Sequence, residues 1–311
     1  KAIGHPRAAV LALLRTARFD LDEGRLAHGL PVAKSAASLA HSSAYPTFEI
    51  EAELLVSELS REIGDVQGAL AASDRALAAC NPTVNPGVPP RTRAEVLRTR
   101  GVLLRRVGRV REAVDAYVEA IAVFRRQGAR RQEARAKNAL AYAMFVQGRY
   151  EDAIALALES IRIDLSIGGR FQLAKTLTNI GHSYARLGDM PRALAYLKRA
   201  REAHERYGDQ DGRADTLLVS AEVLLELGDV DGAEACILDA ATLTENTGNA
   251  YDITHAAVVG GALARYRRDA PMAIHNALSA RRSAEHQALV AYHFYAMAVE
   301  AAARVDAGEV H

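Results

Sequence analysis

Glycine recurs at one nearly constant interval along this chain of 311 residues. Steps of forty residues, with a single step of forty-four, connect Gly24, Gly64, Gly108, Gly148, Gly188, Gly228 and Gly308, and only Arg268 interrupts the series. Small residues accompany each step, five positions after it and seven positions before it. A period of this length marks a structural unit that buries its apolar face against neighbouring copies. The sequence therefore predicts an array of stacked repeats.

The copy at Leu177–Ala200 shows what each unit contains. Apolar residues at helical spacing run up to Gly188, and a second apolar stripe with the same spacing follows. Gly188 suits the left-handed conformation that ends a helix, and Asp189 suits the N-cap of the next one. The small residues Gly181 and Ala193 allow two helix backbones to approach closely. We therefore predict a hairpin of two antiparallel helices.

This pattern resembles the tetratricopeptide repeat. Gly181, Tyr184, Gly188, Ala193 and Ala200 match that family's small residue, tyrosine, turn glycine and two alanines in order. The family's tryptophan and its helix-ending proline have no counterpart here, and the unit of forty residues exceeds the usual length of about thirty-four. In that respect the repeats are similar to the long repeats of polarity-adaptor proteins and of maltose-activator-type bacterial regulators.

The resemblance implies an all-α fold, a right-handed superhelical solenoid of antiparallel helix hairpins with about seven repeats and a C-terminal capping helix. We expect a single domain over residues 1–311, with repeats at 10–49, 50–93, 94–133, 134–173, 174–213, 214–253 and 254–293, and a capping helix at 294–307. In that capping helix, Met297 and Ala301 are expected to point inward. The prolines of segment 81–90 exclude helix there, and this segment is either a plain surface loop or a docking loop. Arg268 is expected to reshape its turn, because a non-glycine residue in the left-handed region costs about 1–2 kcal/mol.

Composition limits the classes of partner. The formal net charge of +1 gives no field that would attract nucleic acid. No apolar run approaches the length of about 20 residues that a membrane helix needs. Cys80 and Cys236 lie too many repeats apart for a disulfide, which favours a reducing, cytoplasmic location. A start without methionine and an end at the beginning of a turn give the expectation of a fragment of a longer protein.

Signs of catalysis or of a cofactor are weak. The chain has no glycine-rich phosphate-binding loop, and its Gly-Arg pairs fall at helix turns. His255, His275, His286 and His293 lack the spacing of a metal site. The pair Glu151–Asp152 falls at a helix start, where it complements the helix dipole. We expect no enzyme activity, no cofactor and no metal.

The resemblance further implies that the first helices of the repeats line a concave groove. The family register then assigns the predicted peptide-binding residues: Arg98, Arg105, Arg106, Arg135, Asn138, Tyr142, Lys175, Thr178, His182 and Arg186. Acidic residues occupy the same register on both sides, including Glu51 and Glu58 in repeat 2 and Asp215, Glu222 and Glu226 in repeat 6. The predicted groove is basic in its middle and acidic at its flanks.

The leading hypothesis is a non-catalytic protein–protein interaction scaffold that binds an acidic peptide across repeats 3 to 5. Arginine pairs with carboxylates in a bidentate geometry, and Asn138 can bind a peptide backbone through both its donor and its acceptor. The alternative for these side chains is that they are ordinary solvated charges, and for Tyr142 that it packs at the groove edge. An alternative function is the sensor arm of a larger bacterial signalling protein, an ATPase-type transcription regulator or a serine/threonine kinase. RNA binding is disfavoured, because the repeats carry no recurring polar code.

Overall fold

The computed structural model describes residues 6–169, 172–247, 249–287 and 289–309. Within these ranges the regular secondary structure is entirely α-helical, which confirms the predicted fold class. The helices are α1 (Pro6–Asp22), α2 (Leu26–Ser42), α3 (Pro46–Glu62), α4 (Val66–Ala79), α5 (Pro90–Arg106), α6 (Val110–Arg126), α7 (Arg130–Val146), α8 (Tyr150–Ser166), α9 (Leu173–Arg186), α10 (Met190–Tyr207), α11 (Gln210–Glu226), α12 (Val230–Thr247), α13 (Ala250–Tyr266), α14 (Ala270–His286) and α15 (Val290–Asp306). None of the helices in the described part of the chain combines the length and the apolarity needed to cross a bilayer.

The chain divides into two compact units, residues 1–132 and residues 133–311. We call them unit 1 and unit 2 and describe each by itself. Unit 1 holds α1 to α6, and unit 2 holds most of α7 and the helices from α8 to α15. The single array over residues 1–311, with the repeat boundaries given above, stays a prediction.

Helical hairpins build both units. Odd-numbered helices pack against the even-numbered helices that follow them, for example α5 against α6 and α11 against α12. We call the odd-numbered helices first helices and the even-numbered ones second helices. In unit 2, neighbouring first helices also pack side by side, α9 on α11, α11 on α13 and α13 on α15. The predicted hairpin repeat is therefore confirmed within each unit.

Left-handed residues end the first helices, as the glycine ladder predicts. Gly188 has a φ of +81°, and all six other ladder glycines are also left-handed. Arg268 adopts a φ of +61°, so its turn keeps the common conformation and the expectation of a reshaped turn is wrong. The turn is kept because Arg268 and Asp269 make the same backbone hydrogen bonds to α13 that the glycine turns make. A second series, Gly128, Gly168 and Gly208, is left-handed at turns between hairpins, and the sequence analysis missed it.

Contacts inside the α9–α10 hairpin explain its small residues. A Cβ on Gly181 would lie 2.7 Å from Cγ of Leu197, closer than two carbon atoms can approach. Ala193 is fully buried in the same contact region. Asp189 caps α10, since its Oδ1 accepts a hydrogen bond from the backbone N–H of Arg192 at 3.1 Å. These observations confirm the local predictions for the hairpin.

Residues 80–89 form the long connection between α4 and α5 in unit 1. No helix forms there, as its prolines predict, and Pro90 begins α5. Side chains hold the loop: Asn81 accepts from the backbone N–H of Thr83 at 3.0 Å, and Asn85 donates to the carbonyl of Ala79 at 2.9 Å. The segment is thus an ordered loop.

The terminal helix α15 differs from its prediction in both bounds and orientation. It begins at Val290, four residues before the expected start. It buries Ala296, Val299 and Ala303, whereas Met297 and Ala301 are exposed, so the expectation that these two point inward is wrong. The reason is that a second helix covers these register positions in earlier hairpins, whereas the main contacts of α15 within the described ranges are with α13 and α14.

Candidate functional site

Three of the predicted groove residues, Arg98, Arg105 and Arg106, lie half-buried on α5 in unit 1. Nε of Arg98 lies 3.0 Å from a carboxylate oxygen of Glu95 on the same helix. The guanidinium of Arg105 faces the phenol of Tyr117: burial raises the pKa of Tyr117, and Arg105 opposes that rise. Two of these three arginines therefore interact with side chains of their own unit.

The other predicted residues lie in unit 2, on α7 and α9. Arg135 and Lys175 are exposed, whereas Asn138 and Thr178 are buried. Asn138 accepts a hydrogen bond from Asn179 at 3.2 Å, which links α7 to α9. The hydroxyls of Thr178 and Thr216 lie 2.8 Å apart, which links α9 to α11. Asn138 and Thr178 thus join neighbouring first helices beneath the surface.

A buried carboxylate, Glu222 on α11, collects basic groups from both neighbouring first helices. Nε2 of His255 on α13 lies 2.9 Å from its Oε1. Its Oε2 lies 3.4 Å from Nε2 of His182 and 3.5 Å from Nη2 of Arg186, both on α9. Arg186 also approaches Glu226 at 3.7 Å. Three consecutive first helices are therefore tied together by one set of opposite charges.

These contacts shift the ionisation of the buried groups. Burial acts to raise the pKa of Glu222, but the imidazoles of His182 and His255 outweigh it and hold that pKa well below its usual range. Burial acts to lower the pKa of His255, but Asp215 and Glu222 raise it to about 9. At neutral pH, His255 is therefore an imidazolium between two carboxylates.

Asp252, beside this network on α13, has the opposite behaviour. The residue is 2% exposed, and its Oδ2 has no hydrogen-bond partner. Burial and the nearby carboxylates of Asp215 and Asp211 raise the pKa of Asp252 to about 7. This carboxyl therefore changes its charge close to neutral pH.

Aromatic rings extend the same face over α7, α13 and α15. Phe145 packs on Tyr142 with ring centroids 5.7 Å apart and on His182 with centroids 4.4 Å apart. The hydroxyl of Tyr292 donates to that of Tyr251 at 3.0 Å, with the two rings edge to face. Burial raises the pKa of Tyr251 well above its ordinary value, and the phenol of Tyr142 raises it further. Tyr142 of α7 therefore faces Tyr251 of α13, although α9 and α11 lie between these helices in the repeat order.

We call the surface formed by these groups the first-helix face of unit 2. Its half-buried or exposed residues are Tyr142, Phe145, Lys175, His182, Arg186, Asp215, Tyr251 and Tyr292, and Glu222 and His255 are buried within it. The sequence analysis missed Tyr251, His255 and Tyr292. His255 follows Lys175 and Asp215 at steps of forty residues, so the same register could have found it. The two tyrosines precede the register of their repeats, and no signal in the sequence indicated them.

A metal site finds no support in the described ranges. No group of three histidine, cysteine, aspartate or glutamate side chains there could hold a metal ion. Of the four histidines that are close in sequence, His255 belongs to the buried network and His293 lies 3.5 Å from Glu285. The side chains of the first-helix face are suited to binding a ligand through ion pairs, hydrogen bonds and aromatic contacts.

Comparison with known proteins identifies the family. The model of the tetratricopeptide repeat matches residues 92–166 and 172–246. The chain therefore contains tetratricopeptide repeats in these two segments. A search of curated protein sequences finds no significant match. The narrower likeness to polarity-adaptor and maltose-activator-type repeats stays a prediction.

Solved structures of the same fold are similar over most of the chain. The apo form of RapI has a TM-score of 0.72 at 12% identity, covering 89% of this chain and 98% of that one. The Rap conjugation gene regulator of plasmid pLS20, in complex with the Phr* peptide, has a TM-score of 0.60 at 13% identity, covering 95% and 96%. BtubC from P. vanneervenii has a TM-score of 0.55 at 21% identity, covering 78% and 93%. At these identities the likeness shows the fold alone.

Proposed function

We propose that this protein is a non-catalytic scaffold that binds a peptide segment of a partner protein on the first-helix face of unit 2. The observation that carries the proposal is the convergence of charged and aromatic side chains from α7, α9, α11, α13 and α15 on one face. Binding surfaces combine aromatic side chains with a few oriented polar groups in this way. The pLS20 regulator, which shares the fold, was solved in complex with a peptide.

The finer part of the proposal is that the bound segment is acidic. Lys175 is exposed at the edge of the face, and Arg135 is exposed on the neighbouring helix α7. Both can pair with ligand carboxylates. A ligand carboxylate that reaches Arg186 must compete with Glu222 and Glu226, which already lie 3.5 and 3.7 Å from its guanidinium. Lys175 is therefore the basic group expected to contribute most to recognition.

Selection from a phage-displayed library of random peptides against the immobilised full chain tests the proposal. We expect selected peptides to be rich in Asp and Glu and to bind Lys175→Glu about tenfold more weakly, which corresponds to about 1.4 kcal/mol. The matched control is Lys198→Glu, an exposed lysine on the second helix α10, which should bind as the original chain does. Peptides that lose affinity equally for both variants, or a selection that yields none, would contradict a site on this face. Selected peptides without acidic enrichment would contradict only the acidic character.

A second candidate is that the chain is the regulatory arm of a larger bacterial signalling protein. The fold shared with the pLS20 conjugation gene regulator favours it. The coding sequence on either side of this segment decides the matter. A nucleotide-binding, kinase or DNA-binding domain in the same reading frame supports a regulatory arm, and an uninterrupted repeat protein contradicts it.

A further inference from the structure

Asp252, near the start of α13, is a buried carboxylate whose Oδ2 has no partner. The residue is 2% exposed, and this oxygen accepts no hydrogen bond. Glu222 is also buried, at 7% exposed, but it has His182, Arg186 and His255 as basic partners. A buried carboxylate without such partners costs free energy in the folded state. Asp252 is therefore suited to pair with a group that a ligand supplies.

Two more carboxylates, Asp215 and Asp211 on α11, act on Asp252. Burial and these two carboxylates raise the pKa of Asp252 to about 7, and His255 and Lys175 oppose that rise. His255 is shared between carboxylates, because it lies 3.6 Å from Asp215 and also pairs with the buried glutamate of the network. Negative charge therefore exceeds positive charge around Asp252.

Two tyrosine rings border the same carboxylates. The rings of Tyr251 and Tyr292 lie edge to face with centroids 5.2 Å apart. Burial raises the pKa of both phenols, and the nearby negative charge of Asp215 raises it further. Both tyrosines and Asp215 are half-buried, and the face of a tyrosine ring attracts cations. This combination suits an organic cation, since no three histidine, cysteine, aspartate or glutamate side chains in the described ranges could hold a metal ion.

We propose that Asp215 and Asp252 bind an ammonium group of the peptide, either its N-terminal amine or a lysine side chain, next to the rings of Tyr251 and Tyr292. We call these four residues the ammonium subsite. This subsite rests on the proposed function, and it adds one positive group to the bound acidic segment. An ammonium group carries three N–H donors on a compact charge, so it can donate to the half-buried Asp215 and neutralise the buried Asp252. Lys175 remains the partner of a ligand carboxylate.

An array of random octapeptides without arginine, attached through their C termini, is a suitable probe for the fluorescently labelled full chain. Each sequence is printed with a free N terminus, with an acetylated N terminus, and acetylated with every lysine replaced by glutamine. We expect peptides that bind to lose at least about tenfold in affinity when the ammonium group is removed, measured by fluorescence anisotropy of the synthesised peptides. Loss on acetylation identifies the N-terminal amine as the source. Loss only on replacement of lysine identifies the side chain.

The variant Asp252→Asn tests whether the ammonium group is bound at this subsite. It should weaken the ammonium form of each peptide at least about tenfold and leave the neutral form unchanged, because the amide keeps the shape of the side chain and removes its charge. The matched control is Asp239→Asn, at an exposed carboxylate on the second helix α12. This control should bind both forms as the original chain does.

Thermal unfolding without peptide separates this role of Asp252 from a structural one. At pH 8, above its pKa of about 7, Asp252 is an ionised and buried group. Since a ligand supplies its partner, Asp252→Asn should unfold at a temperature at least as high as that of the original chain. A lower melting temperature would show that Asp252 stabilises the fold, and it would overturn the proposal.

Two binding results would also overturn it. Equal binding of the three printed forms would contradict the ammonium group and leave the proposed peptide site standing. Equal weakening by Asp252→Asn and Asp239→Asn would show that the loss does not depend on the ammonium subsite. An array on which no peptide binds would instead contradict the proposed function itself, so the two failures are distinguishable.

Discussion

The helices α11 and α15 occupy equivalent register positions in unit 2, yet they expose opposite kinds of side chain. The apolar stripe of α11 is buried, and its exposed residues are Gln210, Asp211, Glu226 and no apolar side chain. In α15 the stripe is exposed, and Ala302 occupies the position of Glu222. The comparison shows that an apolar position in a repeat has a structural role only where a neighbouring helix covers it. Where the described residues supply no such neighbour, as on α15, the same position is exposed.

The largest expected effect is a difference between the apolar stripes of α11 and α15 in how much they contribute to the free energy of unfolding. Leu217→Ala should lower the free energy of unfolding by about 2–5 kcal/mol, because it leaves a cavity under α12. Met297→Ala, at the matching position of α15, should change it by less than about 0.5 kcal/mol, since that side chain is 42% exposed. Urea unfolding followed by circular dichroism measures both. Equal losses would contradict the contrast between the two helices.

A smaller effect concerns two carboxylates of α11, Asp215 and Glu222, whose register positions in α15 hold Tyr295 and Ala302. His255 gains its raised pKa, about 9 against an ordinary 6.5, from Glu222 and Asp215. The folded state therefore binds a proton that the unfolded state releases between these two values. Stability from this group is complete below about pH 6.5 and is lost as the pH rises through 9, a change of up to roughly 3 kcal/mol.

The variant His255→Gln should flatten the dependence of unfolding on pH between 6.5 and 9. Thermal unfolding at a series of pH values measures the difference between the variant and the original chain. His275→Gln, an exposed histidine on α14, is the matched control and should keep the original slope. If both variants show the same slope as the original chain, the buried network does not hold the proton that the geometry indicates.

The smallest effect compares two small residues at the same register position: Gly181, which a second helix approaches closely, and Ala301, which is exposed. Gly181→Val places a Cβ 2.7 Å from Leu197 and 3.1 Å from the carbonyl oxygen of Ala193, and should cost about 1–3 kcal/mol. Ala301→Val adds a β-branched residue at the same register position on the exposed stripe. It should cost only the difference in helix propensity, about 0.5 kcal/mol. A large loss for Ala301→Val in thermal unfolding would mean that its position is already covered.

Much of the fold could be predicted from the sequence because the turns depend on local chemistry. A left-handed residue is required where each first helix ends, and glycine supplies it at Gly148, Gly188 and Gly228. Arg268 shows the limit of this reasoning. Tertiary packing of α13 and α14 holds a non-glycine residue in the same conformation, so the turn survives an unfavourable residue.

The candidate site was predicted only in part, because its pairs form between helices. The register placed His182 and Arg186 on the first-helix face, but their pairing with Glu222 depends on how α9 and α11 pack. Asn138 and Thr178 share the register of exposed residues and are nevertheless buried, since neighbouring helices approach closely there. The contact of Tyr142 with Tyr251 joins helices that are three repeats apart, a distance that no local pattern encodes.

The loop at residues 80–89 gives unit 1 a tolerance to changes in length that its helices lack. One residue inserted within a helix rotates everything after it by about 100° and turns buried side chains toward water. An insertion in this loop lengthens a connection whose ends are already held, at an entropic cost of only about 0.6 kcal/mol for each doubling. A fluorescent protein or an affinity tag can therefore be inserted between Thr83 and Pro86. An insertion there leaves the buried face of every helix in its original orientation.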